Sequence, residues 1–167
     1  VASLVGSEMC IRDSYITRMK YRCLSYEELA GLEKEFVHYL AIHTITAEDW
    51  QKMEKENPQK ALTFIEGFSD KVFYRILKKI KYMELVTPTK LRAFKCEAEQ
   101  ISMIVLEAID TKNIDFTNKN TFSLIIQRFQ NQEEMGVKMY RGRKNYAMPR
   151  ESELFQMLEN GCMIAEG

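Results

Sequence analysis

Residues 101–109 read Ile-Ser-Met-Ile-Val-Leu-Glu-Ala-Ile, and this run decides the fold class of the 167-residue chain. It is almost continuously apolar and rich in strand-forming residues, which is typical of a central strand covered on both sides. Just upstream, residues 90–97 alternate between apolar and charged side chains, as a strand with one buried face does. The short connection at residues 98–99 predicts that the two strands form a hairpin.

Upstream of this region the apolar residues recur every three to four positions, which predicts amphipathic helices. Ser25 and Glu28 form an S-x-x-E capping box at the start of the first helix, which we predict over residues 26–41. Thr46 is placed to cap a second, short helix over residues 47–56.

The Asn57-Pro58 pair begins a third helix, because asparagine is a good N-cap and proline is favoured at the first helical position. Capping residues that follow Gly67 predict a break or kink at residues 67–69, after which a long helix continues to about Leu85. Pro88 then ends the helical half, since the residue before a proline avoids the α region.

The rest of the chain is predicted to mix helices and strands. The elements expected after residue 109 are a polar loop at 110–120, a helix at 122–135 ended by a left-handed Gly136, a strand at 137–141 interrupted at Gly142, a helix at 152–159, and a strand at 162–165. Together the elements predict an α+β fold, in which an N-terminal helical half is packed on a small, mainly antiparallel sheet.

The composition is that of an ordinary globular chain without excess charge. Hydrophobic residues make up 46% and charged residues 29%, and 24 basic residues balance 24 acidic ones. The zero net charge removes the simplest argument for a nucleic-acid or anionic-membrane binder. No stretch approaches the roughly 18 apolar residues that a membrane span needs, so we expect no membrane partner.

The first fourteen residues have a different origin from the rest in our interpretation. Residues 4–13 match the translation of a transposase sequencing adapter, and Ser14 is consistent with the bases that follow. Such sequence has to be excluded before any fold reasoning. We therefore expect residues 1–18 to be non-native adapter and upstream sequence, and Met19 to be the natural start. Residues 19–167 are then expected to form a single α+β domain that is truncated at its C terminus.

Three cysteines follow Met19, namely Cys23, Cys96 and Cys162, and no two of them have the C-x-x-C spacing of a metal or redox site. Widely spaced single cysteines suit a reducing compartment, where they are small buried residues. The sequence after Met19 has no apolar signal core, so we expect a cytoplasmic protein.

The sequence contains no recognisable catalytic or metal-binding motif. The two histidines, His38 and His43, are five residues apart and do not share a helix face. Glu35 and His38 could supply two metal ligands, but a zinc site needs a third and usually a fourth. Serine-hydrolase, zinc-protease and phosphate-loop motifs are missing. We therefore predict no catalytic residues, no metal and no cofactor, although catalytic groups that converge from distant positions leave an enzyme of unrecognised type open.

One stretch, residues 138–150, suggests a ligand. Cations interleave there with tyrosines, a combination that can neutralise phosphates and stack bases. An edge strand that carries charges and a polar turn around Gly142 explains the same residues without a ligand. The candidate phosphate- or nucleic-acid-binding residues are Lys138, Tyr140, Arg141, Arg143, Lys144, Tyr146 and Arg150.

Five blocks of sequence carry a family resemblance: MKYRCLSYEELAGLEKEF at 19–36, ITAEDW at 45–50, NPQKALTFIEGFSDKVF at 57–73, FKC at 94–96 and ESELFQMLENGC at 151–162. Through them the chain resembles a family of uncharacterised small proteins from Bacteroidetes-type bacteria, known only as a domain of unknown function. The resemblance implies a single-domain, cytoplasmic bacterial protein whose homologues run slightly past Gly167. It implies no activity and no catalytic residues.

We therefore expect a non-enzymatic interaction or regulatory module whose helical face or sheet edge meets a protein partner. This expectation depends on well-capped amphipathic helices combined with missing catalytic motifs. The alternative is nucleic-acid or phosphate binding through residues 138–150, and an unrecognised enzyme is the third interpretation.

Overall fold

A computed structural model describes residues 19–166, so the interpretation of residues 1–18 lies outside the described range. Six helices and five strands lie within the described residues, which confirms the α+β class. The chain divides into two compact units, unit 1 up to Ile76 and unit 2 from Leu77 onward. In its described part unit 1 is helical, whereas unit 2 contains the whole sheet.

The bounds of the elements are as follows. The helices are α1 (Tyr26–Gly31), α2 (Glu33–Ile42), α3 (Ala47–Glu56), α4 (Pro58–Lys79), α5 (Thr121–Gln130) and α6 (Arg150–Glu159). The strands are β1 (Tyr82–Val86), β2 (Lys90–Cys96), β3 (Gln100–Ala108), β4 (Val137–Asn145) and β5 (Met163–Ala165). The sheet has the order β4-β3-β2-β1-β5, and every neighbouring pair is antiparallel.

Three of the predicted helix starts in unit 1 are confirmed. Ser25 and Glu28 form a reciprocal capping box at α1, and Thr46 forms a second one with Asp49 at α3. The Asn57 side chain accepts a hydrogen bond from a first-turn N–H of α4 at 3.1 Å. These side chains satisfy N–H groups that have no partner inside the helix.

An aromatic cluster forms the core of unit 1. The Phe36 ring lies 5.1 Å from the ring of Trp50 and 5.1 Å from that of Phe68. Trp50 is 3% exposed, so this single large side chain anchors the short α3.

The predicted helix over 26–41 is two helices separated at Leu32. Leu32 leaves helical geometry (φ −113°, ψ 23°) directly after Gly31, a residue type with low helix preference. The Phe36 N–H still donates to the Leu32 carbonyl at 2.9 Å, so α2 begins without an intervening loop.

The break predicted at 67–69 is wrong, because α4 continues through these residues. The buried Ser69 hydroxyl donates to the carbonyl four residues earlier and accepts from the Leu24 N–H at 3.1 Å. The Asp70 carboxylate accepts from the N–H groups of residues 20–21. These two capping-type side chains therefore bind the segment before α1 instead of starting a new helix.

The helix predicted to continue to Leu85 ends at Lys79, and residues 82–86 form β1. The spacing of Ile80 and Met83 fits a helix, but pairing with β2 on one side and β5 on the other makes the segment a strand. Pro88 consequently follows a strand and not a helix.

The hairpin of β2 and β3 is confirmed, and β3 is an interior strand between β2 and β4. Its predicted burial on both sides is wrong. Ile101 is 3% exposed, whereas Ile104 is 41% exposed. Since side chains an odd number of residues apart lie on opposite faces, one face of the sheet is partly open at this strand.

Two element boundaries in the C-terminal part need correction. The helix predicted over 122–135 ends at Gln130, although Gly136 has the predicted left-handed backbone (φ +72°). The strand predicted to stop at Gly142 continues to Asn145, because Gly142 pairs with Met103 inside the ladder. The last helix and last strand are confirmed, with small shifts of their ends.

Candidate functional site

β4 is the long edge strand of the sheet in unit 2. It pairs with β3 along nine residues, and no strand lies on its other side within the described chain. The opposite edge is β5, which is only three residues long. An unpaired edge presents a row of N–H and C=O groups that can pair with a further strand.

The edge strand is basic and exposed. Every residue of β4 after Val137 is exposed, and the strand contains four cations and no carboxylate. The interpretation of these residues as an edge strand is therefore confirmed, whereas the polar turn expected around Gly142 is not formed. The cations of the strand are Lys138, Arg141, Arg143 and Lys144.

Strand alternation separates the predicted site residues. Lys138, Tyr140 and Lys144 lie on one face of the sheet, while Arg141 and Arg143 lie on the other. The arginines of β4 therefore do not share a face with its tyrosine. A single surface that combines all of these cations with a stacking ring is not formed within β4.

Tyr140 is engaged within the sheet. Its hydroxyl donates to the Glu107 carboxylate, to which Lys90 also binds at 2.8 Å. The Lys90 hydrogen bond and then that of Tyr140 lower the pKa of Glu107 below its usual range. The ring of Tyr140 is nevertheless about half exposed.

Lys144 connects the end of β4 to α6. Its ammonium pairs with the Glu153 carboxylate, which also accepts the Ala147 N–H at 2.8 Å. Burial raises the pKa of Glu153, but the hydrogen bonds from Lys144 and Ala147 outweigh it and the net pKa is lowered. Lys144 therefore has a structural partner.

Arg150 binds the backbone of its own unit. Its guanidinium donates to the Glu97 and Leu77 carbonyls at 3.0 Å, to the Cys96 carbonyl at 3.1 Å, and to the Ile80 carbonyl. These carbonyls lie at the end of α4 and at the hairpin between β2 and β3, so one side chain holds both. The side chain is only 15% exposed.

Tyr146 binds one of the same carbonyls as Arg150, because its hydroxyl donates to the Glu97 carbonyl at 3.0 Å. Burial raises the pKa of this tyrosine. The open part of the predicted site therefore consists of Lys138, Arg141 and Arg143, which form no ion pair among residues 19–166. Of these, Arg141 touches the sulfur of Met139 at 3.9 Å.

An apolar surface continues from the arginine face of β4. Arg141 lies opposite Ile104 in the ladder, and Met139 lies opposite Leu106. Ile104 and Met139 are 41% and 57% exposed. A strand added outside β4 would therefore have charge along the edge and apolar contacts beside it.

A groove in unit 1 was not predicted from the sequence. It lies between α2 and α4 and has a volume of about 570 Å³. Three cations, Lys34, Lys71 and Arg75, line it together with apolar side chains. The i,i+4 spacing of Lys71 and Arg75 was a local signal, but the groove itself requires two helices that are far apart in sequence to pair.

The described cysteines are buried and free, as predicted. Burial raises the pKa of Cys96 to about 11 and also raises that of Cys162. Within residues 19–166, no group of three or more His, Cys, Asp or Glu side chains is placed to hold a metal ion. No helix in this range is both long enough and apolar enough to cross a membrane.

Comparison with known proteins identifies one family. The model of a family described as a family of unknown function matches residues 19–167. This match confirms the resemblance of the chain, from Met19 onward, to an uncharacterised family. Neither a curated protein nor a solved structure gives a match.

Proposed function

The chain belongs to the family of unknown function DUF6495, and we propose that it is a protein-interaction module that binds its partner at the free edge of β4. The observation that carries this proposal is a nine-residue, exposed edge strand with four cations and no carboxylate.

The open backbone of β4 favours an extended partner segment. Strand addition gives affinity through main-chain hydrogen bonds, while alternate side chains supply specificity. The added strand would also contact Met139 of β4, whose exposed side chain lies on the same face as Arg141. Burial of this apolar surface would add to the backbone pairing.

The charge of β4 favours an acidic partner over a second copy of the chain. Two β4 strands paired edge to edge would bring eight cations together without one carboxylate, and like charges on adjacent strands destabilise a sheet. An extended segment rich in glutamate or aspartate would instead pair with Lys138 on one face and with Arg141 and Arg143 on the other. The proposed partner is therefore a protein with an acidic, extended segment.

Phosphate or nucleic-acid binding is the second candidate. It is supported by Arg141 and Arg143, two exposed cations on one face, although Arg143 is close enough to Glu97 to help lower the pKa of that carboxyl. It is weakened because Lys144, Tyr146 and Arg150 bind groups of the protein itself.

We also infer that the protein is bacterial and works in a reducing cytoplasm. The sequence resemblance supports the bacterial origin, and the free, buried cysteines support the compartment. Mass spectrometry of the protein alkylated directly in cells tests the latter inference. Fully alkylated cysteines after denaturation are expected, and a disulfide would contradict it.

The test of the binding proposal uses the full chain and a labelled, end-blocked peptide of alternating glutamate and valine, about nine residues long to match β4. Fluorescence anisotropy should show saturable binding. A peptide with the same sequence but N-methylated at every second residue keeps its charge and loses donors along one edge. We expect it to bind at least about tenfold more weakly.

The matched variants are Arg141→Glu/Arg143→Glu on β4 and Lys112→Glu/Lys119→Glu in the exposed loop before α5. The first double reversal should weaken binding of the acidic peptide at least about tenfold, whereas the second should leave it unchanged. Equal binding of the normal and N-methylated peptides would overturn strand addition. Binding of oligothymidine but not of the peptide, with the same dependence on Arg141 and Arg143, would establish the second candidate instead.

A further inference from the structure

The groove in unit 1 lies between two antiparallel helices. Phe36 of α2 contacts Phe68 of α4, with ring centroids 5.1 Å apart, while His43 at the end of α2 contacts Phe64, at 5.8 Å. Later residues of α2 thus meet earlier residues of α4. The groove that the two helices leave has a volume of about 570 Å³ and is open to solvent.

The floor of the groove is apolar and well defined. Phe68 is buried, Val72 is half-buried, and the Tyr39 ring packs on Phe68 at 5.4 Å. Ile42 and Ile76 lie at the two ends of the groove and are 65% and 41% exposed. The groove therefore offers a line of apolar contacts that the described residues leave partly uncovered.

The rims of the groove are basic. Lys34 lies on the α2 side, and Lys71 and Arg75 lie on the α4 side. None of these three cations forms an ion pair among residues 19–166. The Lys71 ammonium lies 4.7 Å from the centre of the Tyr39 ring, a cation–π contact. The rims contain one carboxylate, that of Glu35, and the imidazole of His38.

The backbone of the groove walls provides no hydrogen-bonding groups for an extended segment. Both walls are α-helices, whose N–H and C=O groups are paired within the helix. An extended chain pressed on this apolar floor would bury its own unpaired backbone groups, which is costly. A helical occupant brings a backbone that is already paired, and helices commonly bind in such grooves through apolar anchors.

The positions of the cations define the charge of that helix. Since cations lie on both rims, an occupant with carboxylates on both sides of its apolar stripe would pair with both. An amphiphile with a single head group, such as a fatty acid, would reach only one rim. We propose that the α2/α4 groove is a second docking site, which binds an amphipathic helix of a partner protein with acidic residues on both flanks. This proposal is independent of the function proposed for β4.

A second copy of the chain is a poor occupant. Its α5 exposes an apolar stripe formed by Phe122, Ile126 and Phe129, which are 43%, 55% and 68% exposed. However, α5 contains Arg128 and no carboxylate. Placed in the groove it would add a cation to rims that already carry three.

The test uses the full chain and a stapled peptide of leucine, alanine and glutamate, about 14 residues long so that it spans roughly 20 Å as a helix. Glutamates flank its leucine stripe on both sides, and a matched peptide has lysine in their place. By fluorescence anisotropy, the glutamate peptide is expected to bind and the lysine peptide to bind at least about tenfold more weakly.

Charge exchange sharpens the test. Lys71→Glu/Arg75→Glu should weaken binding of the glutamate peptide at least about tenfold and strengthen binding of the lysine peptide. Lys55→Glu/Lys60→Glu, which lies outside the groove, should leave the binding of both peptides unchanged. Circular dichroism and urea unfolding confirm that each variant is folded. Equal binding of the two peptides, absence of binding at about millimolar concentration, or stoichiometric displacement of the peptide by laurate would overturn the proposal.

Discussion

Unit 1 and unit 2 both present exposed cations, but their backbones differ in what they leave unpaired. In unit 1 the walls of the groove are helices, and side chains such as Ser25, Thr46 and Asn57 satisfy the helix starts. In unit 2, β4 has one edge with no strand beside it in the described chain. If the two proposals hold, backbone pairing decides whether each partner segment is a helix or a strand, whereas the cations favour only its acidic character.

The largest expected effect concerns Arg150. Its substitution distinguishes cations that stabilise unit 2 from cations that are free to bind a partner. Arg150→Ala removes the donor of four carbonyls and should lower the free energy of unfolding by about 3 kcal/mol or more. Arg141→Ala, on the open edge, should change it by less than about 0.5 kcal/mol. Urea denaturation measures both.

Arg150→Lys is the control for charge alone. A single ammonium cannot bond to four carbonyls on different segments, so lysine should restore less than half of the lost stability. Full rescue by lysine, or an Arg150→Ala variant as stable as the parent, would show that Arg150 is not the structural cation that the geometry indicates.

The corresponding change in unit 1 is Ser69→Ala. It leaves the Leu24 N–H without its side-chain acceptor in a buried position and should cost about 2 kcal/mol of unfolding free energy. Ser123→Ala, on the exposed face of α5, is the matched control and should be close to neutral. Similar values for the two serines would contradict the role of Ser69 in binding the Leu24 backbone.

The charge reversals test whether the two surfaces are separate. Arg141→Glu/Arg143→Glu should weaken binding of the extended acidic peptide about tenfold, or about 1.4 kcal/mol, and should leave binding of the stapled acidic peptide unchanged. Lys71→Glu/Arg75→Glu should do the reverse. Titration of both variants with both peptides measures these affinities. If either variant lost binding of both peptides, binding would depend only on the overall charge of the protein.

The smallest expected effect is the pH dependence of α1. A hydrogen bond from Arg22 lowers the pKa of Glu28 from 4.5 to about 2. The ionised carboxylate therefore stabilises the fold above about pH 4.5, and this contribution is lost as the pH falls toward 2. Because the side chain is 39% exposed, solvent screening reduces the expected contribution to about 1 kcal/mol.

Glu28→Gln should accordingly lower the unfolding free energy at pH 7 and flatten its decline between pH 4.5 and 2. Urea denaturation at a series of pH values measures this, with the exposed neighbour Glu27→Gln as control. An unchanged pH profile in Glu28→Gln would mean that the ion pair with Arg22 does not contribute to stability.

The sequence predicted what local interactions determine. The caps at Ser25, Thr46 and Asn57 were found because each cap and its target lie within a few residues. The hairpin of β2 and β3 was found because alternation and strand-forming residues are local patterns. The α+β class followed from these elements.

The errors arose where distant residues decide. β1 was predicted as helix because its spacing fits one, but β5, some 80 positions later, pairs with it. Arg150 entered the candidate site through neighbours in sequence, whereas its carbonyl partners start 73 positions earlier, at Leu77. The groove in unit 1 was missed because it exists only once α2 and α4 are paired.

Gly67 influences the width of the α2/α4 groove in unit 1. A methyl group at this position would lie 2.8 Å from the Tyr39 hydroxyl oxygen, too close for the ring to stay where it is. Alanine at this position would therefore require the Tyr39 side chain, which lines the groove, to shift. A substitution of Gly67 would thus change the shape of the groove without changing any of its charges.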